Sequence, residues 1–347
     1  MNVASEANTG RASLSLEDVT TYLRVGRELR PVILRVDLHI EPGEIVGLVG
    51  ESGSGKSMTA RTIAGVLPKG AVTEGSLRLG GEDLLAMTHR RRREIQAKEI
   101  GMVFQDPRAY IDPLWRVEVH MTEAMRVHLG YSRARARERA VELLAAVGLD
   151  QPERRMRQFP DELSGGMLQR VMIAGALAVE PSVLLADEAT TALDVTTQAE
   201  IVRLLGDLSR QRGLSVLFIT HDLALADIVC DRVCVMYAGR IVEVRDGRQI
   251  FDDPIHPYTI DLLAARPSIA RRVERLPVIR GVPTSAMDAP EGCPFHPRCR
   301  FAEDACRRGV PTMVAVRGGF ARCFRAHEDL RHMVATVTPS SEVSDAS

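Results

Sequence analysis

Lysine, aromatic residues and net charge are all scarce in this chain of 347 residues. Only three of its 45 basic residues are lysines, at Lys56, Lys69 and Lys98, and aromatic residues make up 4% of the sequence. The formal net charge is -1, so the chain lacks the basic field that drives nucleic-acid binding, and we expect no nucleic-acid partner. With 45% hydrophobic and 26% charged residues, the composition is nevertheless that of a folded protein.

A long hydrophobic run is also missing. The most apolar stretch, residues 171–186, is interrupted by Glu180 and Pro181, whereas a membrane-spanning helix needs about 20 mostly apolar residues. Residues 1–13 have neither the charged start nor the apolar core of a signal peptide, and we expect them to be disordered. We therefore expect a cytoplasmic chain that contacts a membrane only through other subunits and keeps its cysteines reduced or metal-bound.

Short apolar strands alternate with helical segments along most of the chain, a pattern that favours an α/β sheet with parallel strands. The predicted strands cover residues 44–49, 100–104, 183–187 and 215–220, and residues 231–244 predict a hairpin that turns at Ala238 and Gly239. Residues 116–150 have helical periodicity. Since one hydrophobic core usually serves no more than about 250–300 residues, we expect one large domain with an appendage.

A glycine-rich turn follows the first of these strands and precedes a predicted helix at 57–67. Residues 50–57 read GESGSGKS, which fits the phosphate-loop pattern G-x-x-x-x-G-K-[ST] in its required strand–turn–helix setting. Glycines let successive backbone N–H groups face phosphate oxygens, and the helix N-terminus adds positive charge. Lys56 can reach the β- and γ-phosphates and Ser57 can bind Mg²⁺. An arginine would be too large and planar at position 56.

Two carboxylates end the buried strand VLLADE at 183–188. Two acids beside a triphosphate would repel it, so they make sense only with a metal and with distinct roles. We expect Asp187 to hold Mg²⁺ and Glu188 to act as the general base toward the attacking water.

Four motifs in a fixed order carry a resemblance to a known family. GESGSGKS, LSGGMLQR (163–170), VLLADE and ITHD (219–222) together resemble the nucleotide-binding subunits of ATP-binding-cassette (ABC) systems, over about residues 14–265. The resemblance implies a P-loop ABC ATPase core with a helical subdomain. It also implies a head-to-tail dimer, in which each LSGG signature closes over the ATP of the partner subunit. The chain departs from the family at Ala189, where DEATTALD replaces the usual DEPTTALD, without removing a reacting group.

The resemblance assigns roles to individual residues. Gln105 matches the glutamine loop, which contacts Mg²⁺ or water, and His221 matches the switch histidine that contacts the γ-phosphate, so both join Glu188 as catalytic residues. Tyr22 is the candidate for stacking on adenine. The full set expected to contact ATP comprises Tyr22, Gly50, Ser52, Gly53, Ser54, Gly55, Lys56, Ser57, Met58, Ser164, Gly165, Gly166 and the D-loop residue Asp194; the set for Mg²⁺ comprises Ser57, Gln105 and Asp187.

More specific segments indicate a transporter subfamily. FQDPRAYIDP (104–113) and DPIHPYTIDLL (253–263) are similar to the ATPases of oligopeptide and dipeptide importers. This similarity implies a second ABC ATPase subunit, identical or different, two membrane permeases and an extracytoplasmic peptide-binding protein, at the cytoplasmic face of the membrane. Import of nickel or another small solute stays open, as does a soluble, redox-regulated ABC ATPase.

Four of the six cysteines lie near the C-terminus, at Cys293, Cys299, Cys306 and Cys323, with the spacing C-x5-C-x6-C-x16-C. The importer ATPases that the chain resembles have a four-cysteine [4Fe-4S] site in this region. Zinc sites usually contain C-x2-C pairs, which are absent here, but zinc or unligated thiols remain alternatives. Cys230 and Cys234 are expected in the core. We thus predict an ABC domain at 14–265 with its helical subdomain at about 106–165, a cysteine-bearing extension at 266–330 and a disordered tail at 331–347.

Overall fold

The computed structural model describes residues 13–190, 193–265 and 278–331. The disorder expected for residues 1–13 and 331–347 falls outside the described residues, apart from Ser13 and Arg331. Among the helices of the described part, none is long and apolar enough to cross a membrane.

The strands of the described residues fall into an N-terminal antiparallel group and a larger central group. In chain order they are β1 (Leu14–Val25), β2 (Glu28–Ile40), β3 (Ile45–Val49), β4 (Val72–Leu79), β5 (Glu82–Asp83), β6 (Ile100–Val103), β7 (Val183–Asp187), β8 (Ser215–Ile219), β9 (Arg232–Tyr237), β10 (Arg240–Asp246), β11 (Val314–Val316) and β12 (Gly319–Ala321).

The α-helices lie between these strands and in the extension. They are α1 (Lys56–Ala64), α2 (His89–Glu99), α3 (Val117–His128), α4 (Arg133–Ala146), α5 (Pro152–Arg155), α6 (Gly165–Leu177), α7 (Val195–Arg212), α8 (Leu223–Val229), α9 (Gly247–Asp252), α10 (Pro257–Ala264) and α11 (Asp304–Arg308). Helix α1 ends at Ala64, three residues before the predicted end, because Gly65 adopts a left-handed conformation with φ 71° and caps the helix.

Parallel pairing is confined to the middle of the larger sheet. Its strand order is β11-β12-β10-β9-β3-β8-β7-β6, with parallel pairs from β9 to β6 and antiparallel pairs from β9 to β11. The hairpin of β9 and β10 turns at Ala238 and Gly239, as the sequence predicts. Strands β2, β1, β4 and β5 form a separate antiparallel sheet, in addition to the sheet with parallel strands that the sequence predicts.

The central strands are buried on both faces, and each face has its own core. In β3, Ile45 and Val49 belong to the core shared with the helices, whereas Val46 and Leu48 belong to the core shared with the antiparallel sheet. This alternation follows the two-residue period of a strand. Because every residue of β3, β7 and β8 is buried, these strands read as continuous apolar runs in the sequence.

The C-terminal extension belongs to the larger sheet. Strand β12 pairs with β10 through Glu243 opposite Ala321 and Val244 opposite Phe320. Glu243 is fully buried, and its two carboxylate oxygens accept hydrogen bonds from the backbone N–H groups of Ile255 and His256, each at 2.8 Å. Burial raises the pKa of Glu243 to about 7, although these backbone donors act in the opposite direction.

Replacing Glu243 with glutamine is expected to lower the free energy of unfolding by about 1–3 kcal/mol, because an amide NH₂ would face a buried backbone N–H that has lost its acceptor. Denaturant unfolding at pH 8, above the pKa of Glu243, measures this change. Glu74→Gln, at an exposed position of β4, is the matched control and should unfold like the wild type. Equal stability of the two variants would contradict the buried role of Glu243.

Candidate functional site

The loop between β3 and α1 has a backbone that only glycine can adopt at two positions. Gly50 and Gly55 have φ angles of 152° and 110°. A Cβ atom at Gly50 would lie 2.2 Å from the Met236 carbonyl oxygen, and one at Gly55 would lie 3.0 Å from the Val32 carbonyl oxygen. At Gly53, by contrast, a Cβ would meet nothing within 4 Å. The loop is therefore packed tightly at its base and open at its tip.

Lys56 lies inside this loop and holds its start in place. Its ammonium group donates to the carbonyl oxygens of Gly50 and Glu51 at 2.8 and 2.9 Å. Burial lowers the pKa of Lys56, and the carboxylates of Glu188 and Asp187 partly offset this effect. Nearby, the Ser54 hydroxyl is buried and has no hydrogen-bond partner among the described residues. A cationic amine and an unused hydroxyl in a glycine loop suit an anionic ligand such as a phosphate.

Ser57 and Asp187 meet across the loop. The Ser57 hydroxyl donates to Asp187 Oδ1 at 2.9 Å, and Asp187 ends β7 with a nearly buried side chain. Burial raises the pKa of Asp187, against the hydrogen bond from Ser57, which lowers it. One hydroxyl and one carboxylate fit Mg²⁺, which takes few protein ligands and completes its shell with phosphate and water oxygens.

Glu188 is the meeting point of three predicted catalytic residues. Its Oε2 accepts from Gln105 Nε2 at 2.8 Å, and its Oε1 lies 3.4 Å from His221 Nδ1. Its backbone is left-handed, with φ 49°, which is uncommon for a residue other than glycine. The Glu188 backbone N–H donates to the Ile219 carbonyl at the end of β8, and this contact holds the turn.

The remaining residues of the predicted ATP site are not joined to this group. Ser164 caps α6 by accepting from the Met167 N–H, and Asp194 caps α7 by accepting from the N–H and hydroxyl of Thr197. The two hydrogen bonds to Asp194 lower its pKa. Gly165 and Gly166 begin α6.

Tyr22 and Met58 are also placed outside the Glu188 group. Tyr22 is half-buried in β1 opposite Pro31 and Val72, and Met58 is half-buried against the core beneath the antiparallel sheet. Contact of either residue with ATP stays a prediction.

A buried contact with the phosphate loop comes from two residues that the sequence analysis did not select. The Tyr258 hydroxyl accepts from the Glu51 backbone N–H at 2.7 Å, and Arg298 pairs with the Glu51 carboxylate at 2.6 and 3.0 Å. Tyr258, in the segment DPIHPYTIDLL, is fully buried. The cluster of proline and aromatic residues was the available signal for Tyr258, whereas nothing distinguished Arg298 among the many arginines.

The four C-terminal cysteines all line one pocket. Burial raises the pKa of Cys299 and of Cys323 to about 12 and also raises that of Cys293. In the described ranges, no group of three or more His, Cys, Asp or Glu side chains is arranged to hold a metal ion. Cys230 and Cys234 lie elsewhere, buried in the core as expected.

Comparison with known proteins decides the family. Residues 33–191 match the family described as ABC transporter, and residues 242–306 match the family described as the C-terminal region of oligopeptide/dipeptide transporters. The chain is 43% identical over 286 residues to the dipeptide transport ATP-binding protein DppD of Escherichia coli, which covers 82% of this chain and 88% of the relative. It is 41% identical over 319 residues to the oligopeptide transport ATP-binding protein AppD of Bacillus subtilis, with coverage of 91% and 97%.

The chain belongs to the ATP-binding subunits of the oligopeptide/dipeptide ABC transporter family. Among solved structures, a dimeric ATP-binding cassette in a post-hydrolysis state with ADP and Pi matches it with a TM-score of 0.60 and 31% identity, covering 68% of this chain and 99% of the other. This ABC subunit is therefore an ATPase that hydrolyses ATP to ADP and phosphate with Mg²⁺.

In this ABC ATPase, Asp187→Asn is expected to weaken Mg²⁺-dependent binding of ATP about tenfold while leaving Mg²⁺-free binding close to that of the wild type. The asparagine oxygen can still accept from Ser57, but the carboxylate charge that attracts Mg²⁺ is lost. Titration of ATP with Mg²⁺ and with EDTA separates the two quantities. Asp150→Asn, at an exposed position, is the control, and an equal loss with EDTA would show that Asp187 is only structural.

Proposed function

We propose that the chain is the ATPase subunit of an importer of dipeptides or oligopeptides. Support comes above all from residues 242–306, which match the oligopeptide/dipeptide family and contact the phosphate loop through Tyr258 and Arg298. The proposed domains are an ABC domain at 14–265, with its helical subdomain at about 106–165, and an extension at 266–330.

In the proposed reaction, Lys56 and the backbone of residues 50–57 bind the phosphates, with Ser52 and Gly53 at the open tip of the loop and Ser54 and Gly55 nearer its packed base. Ser57 and Asp187 would hold Mg²⁺, with Gln105 as a further contact, and the ion would neutralise charge that develops on the phosphate oxygens. Glu188 accepts a proton from the attacking water, and His221 contacts the γ-phosphate. Tyr22 stacks on the adenine ring, and Met58 lines the same site.

A second ABC ATPase subunit, identical or different, completes the proposed site. The N-terminus of α6 at Ser164, Gly165 and Gly166 offers backbone N–H groups and positive charge to a phosphate. A Cβ at Gly165 would meet nothing within 4 Å, so this end of α6 is open for a ligand. Asp194 reaches the same dimer interface. ATP binding closes the dimer and hydrolysis reopens it.

The chain is proposed to attach to the cytoplasmic face of the membrane through two membrane permease subunits. After Gln105, the chain exposes the large side chains of Leu114 and Trp115, at 79% and 56% of their maximal area, beside half-exposed Tyr110. Tyr110 stacks on Phe104, with ring centroids 3.7 Å apart. Exposed apolar side chains beside a catalytic loop suit a coupling segment of a permease. An extracytoplasmic peptide-binding protein would deliver the substrate.

We further propose a [4Fe-4S] cluster on Cys293, Cys299, Cys306 and Cys323, with zinc as the alternative. The four cysteines all line one pocket, so they are neighbours in the fold although 30 positions separate the first from the last. Such a cluster would hold the four cysteines together and require them as thiolates, against the effect of burial on their pKa values.

Glu188→Gln is expected to lower the rate of ATP hydrolysis by about 10²–10⁴-fold, because glutamine keeps an acceptor for Gln105 but cannot take a proton. ATP should still bind and hold the dimer closed, which size-exclusion chromatography with light scattering detects. Glu74→Gln, which also removes one negative charge but at an exposed position, is the control. Wild-type turnover by Glu188→Gln would assign the general base to another residue.

Anaerobically purified protein is expected to contain about four irons and four sulfides per chain and to absorb broadly in the visible range. Cys306→Ser should lose iron and colour, whereas Cys230→Ala should retain both, because Cys230 lies outside the pocket. Elemental analysis of the same samples measures zinc. An iron-free protein that still binds ATP would reject the cluster.

Peptide import is tested in the source cells by deleting the gene and measuring uptake of labelled dipeptides and tetrapeptides. We expect uptake to fall and to be restored by the wild-type gene but not by Glu188→Gln. Labelled nickel is measured in parallel. Loss of nickel uptake with normal peptide uptake would favour a small-solute importer, and no change in either, with no membrane protein co-purifying, would favour a soluble redox-regulated ATPase.

A further inference from the structure

Arg298 links the extension to the phosphate loop from a buried position. Its side chain is 3% exposed, and both of its terminal nitrogens donate to the Glu51 carboxylate, at 2.6 and 3.0 Å. Its Nε donates to the Arg280 carbonyl at 2.8 Å. The pair is therefore bidentate, and the hydrogen bond from Nε to Arg280 further fixes the guanidinium. The hydrogen bonds to Glu51 raise the pKa of Arg298 above its usual value, so that Arg298 is always charged.

Glu51 is held by three groups at once. Its backbone N–H donates to Tyr258, its carbonyl oxygen accepts from Lys56, and its carboxylate is paired with Arg298. It directly follows Gly50, where a Cβ atom would lie 2.2 Å from the Met236 carbonyl oxygen. Glu51 is thus the residue at which the extension, α10 and the phosphate-binding lysine all meet.

The negative charge of Glu51 opposes the binding of a triphosphate to this loop. A carboxylate within a few ångströms of a polyanion repels it unless a cation neutralises it, and the effect is largest where water is excluded. Arg298 is the cation that contacts this carboxylate on both oxygens. Without Arg298, Glu51 would keep its charge and lose the partner that fixes its direction.

We propose that Arg298 is a positioning residue of the nucleotide site, which neutralises Glu51 and keeps the phosphate loop in the shape that binds ATP. The inference rests on the proposed role of residues 50–57 in phosphate binding. Arg298 need not touch the nucleotide. It lies in the turn formed by residues 293–299, where the N–H groups of Arg298 and Cys299 both donate to the Phe295 carbonyl. The order of the four-cysteine pocket and the position of Arg298 therefore depend on the same turn.

The test uses the full chain and measures ATP affinity and thermal stability for a set of variants. Arg298→Met removes the charge and keeps much of the side-chain volume, while Arg298→Lys keeps the charge but loses the bidentate geometry. Arg300→Met is the matched control, because Arg300 lies two residues further on and pairs with Asp261 instead. The double variant Glu51→Gln, Arg298→Met removes both charges of the pair, and Lys56→Ala checks the phosphate loop itself.

We expect Arg298→Met to raise the Kd for ATP about tenfold, Arg298→Lys about threefold and Arg300→Met less than twofold. The double variant should regain most of the affinity that Arg298→Met loses, even if its melting temperature stays lowered, because the repulsive carboxylate is gone. A purely structural role would lower stability without this rescue.

Three results would overturn the proposal. In the first, Arg298→Met binds ATP as tightly as the wild type although Lys56→Ala has lost binding. In the second, the double variant binds ATP no better than Arg298→Met does. In the third, Arg300→Met loses as much ATP affinity as Arg298→Met. If Arg298→Met does not fold, Arg298→Lys must still weaken binding more than Arg300→Met does. Normal binding by Lys56→Ala would instead remove the phosphate-loop assignment on which the proposal rests.

Discussion

The parallel pairing of β3, β8, β7 and β6 is the constraint from which the site follows. Parallel neighbouring strands end at the same edge of a sheet. At that edge lie the phosphate loop after β3, Gln105 after β6, Glu188 after β7 and His221 after β8. Antiparallel pairing would have sent alternate groups to opposite edges. The hydrogen bond of Gln105 with Glu188 is possible only because residues 83 positions apart in the chain meet at this edge.

Buried polar groups fix the relative positions of parts of the molecule that hydrophobic packing alone would hold less precisely. Glu243 joins β10 to the start of α10, and Arg298 joins the extension to the phosphate loop. A buried charge that loses its partner is strongly destabilising, whereas a fully bonded one fixes a unique arrangement. The extension is therefore oriented by bonds that tolerate little displacement.

The central strands and the phosphate loop could be predicted because their signals are local. An apolar run flanked by glycines marks β3, and the glycine and lysine positions of the loop follow from what a phosphate requires. The pairing of the antiparallel sheet of residues 14–83 was harder to predict, since its strands carry many polar residues and β1 pairs with the distant strand β4 as well as with its neighbour β2. Arg298 lay beyond reach of sequence reasoning, because its role depends on a partner 247 positions away.

The position of Arg298 and β12 near the end of the chain has a consequence for synthesis. A ribosome releases residues in order, so β3, β7, β8 and β9 can pair before the last quarter of the protein exists. Strand β12 can join the larger sheet only after residue 321 has emerged from the ribosome. Glu51 can pair with Arg298 only after residue 298 has emerged. A nascent chain thus passes through a stage in which the catalytic edge is assembled but its phosphate loop still carries an unpaired carboxylate. If Arg298 acts as proposed, such a nascent chain would bind ATP more weakly than the complete chain does.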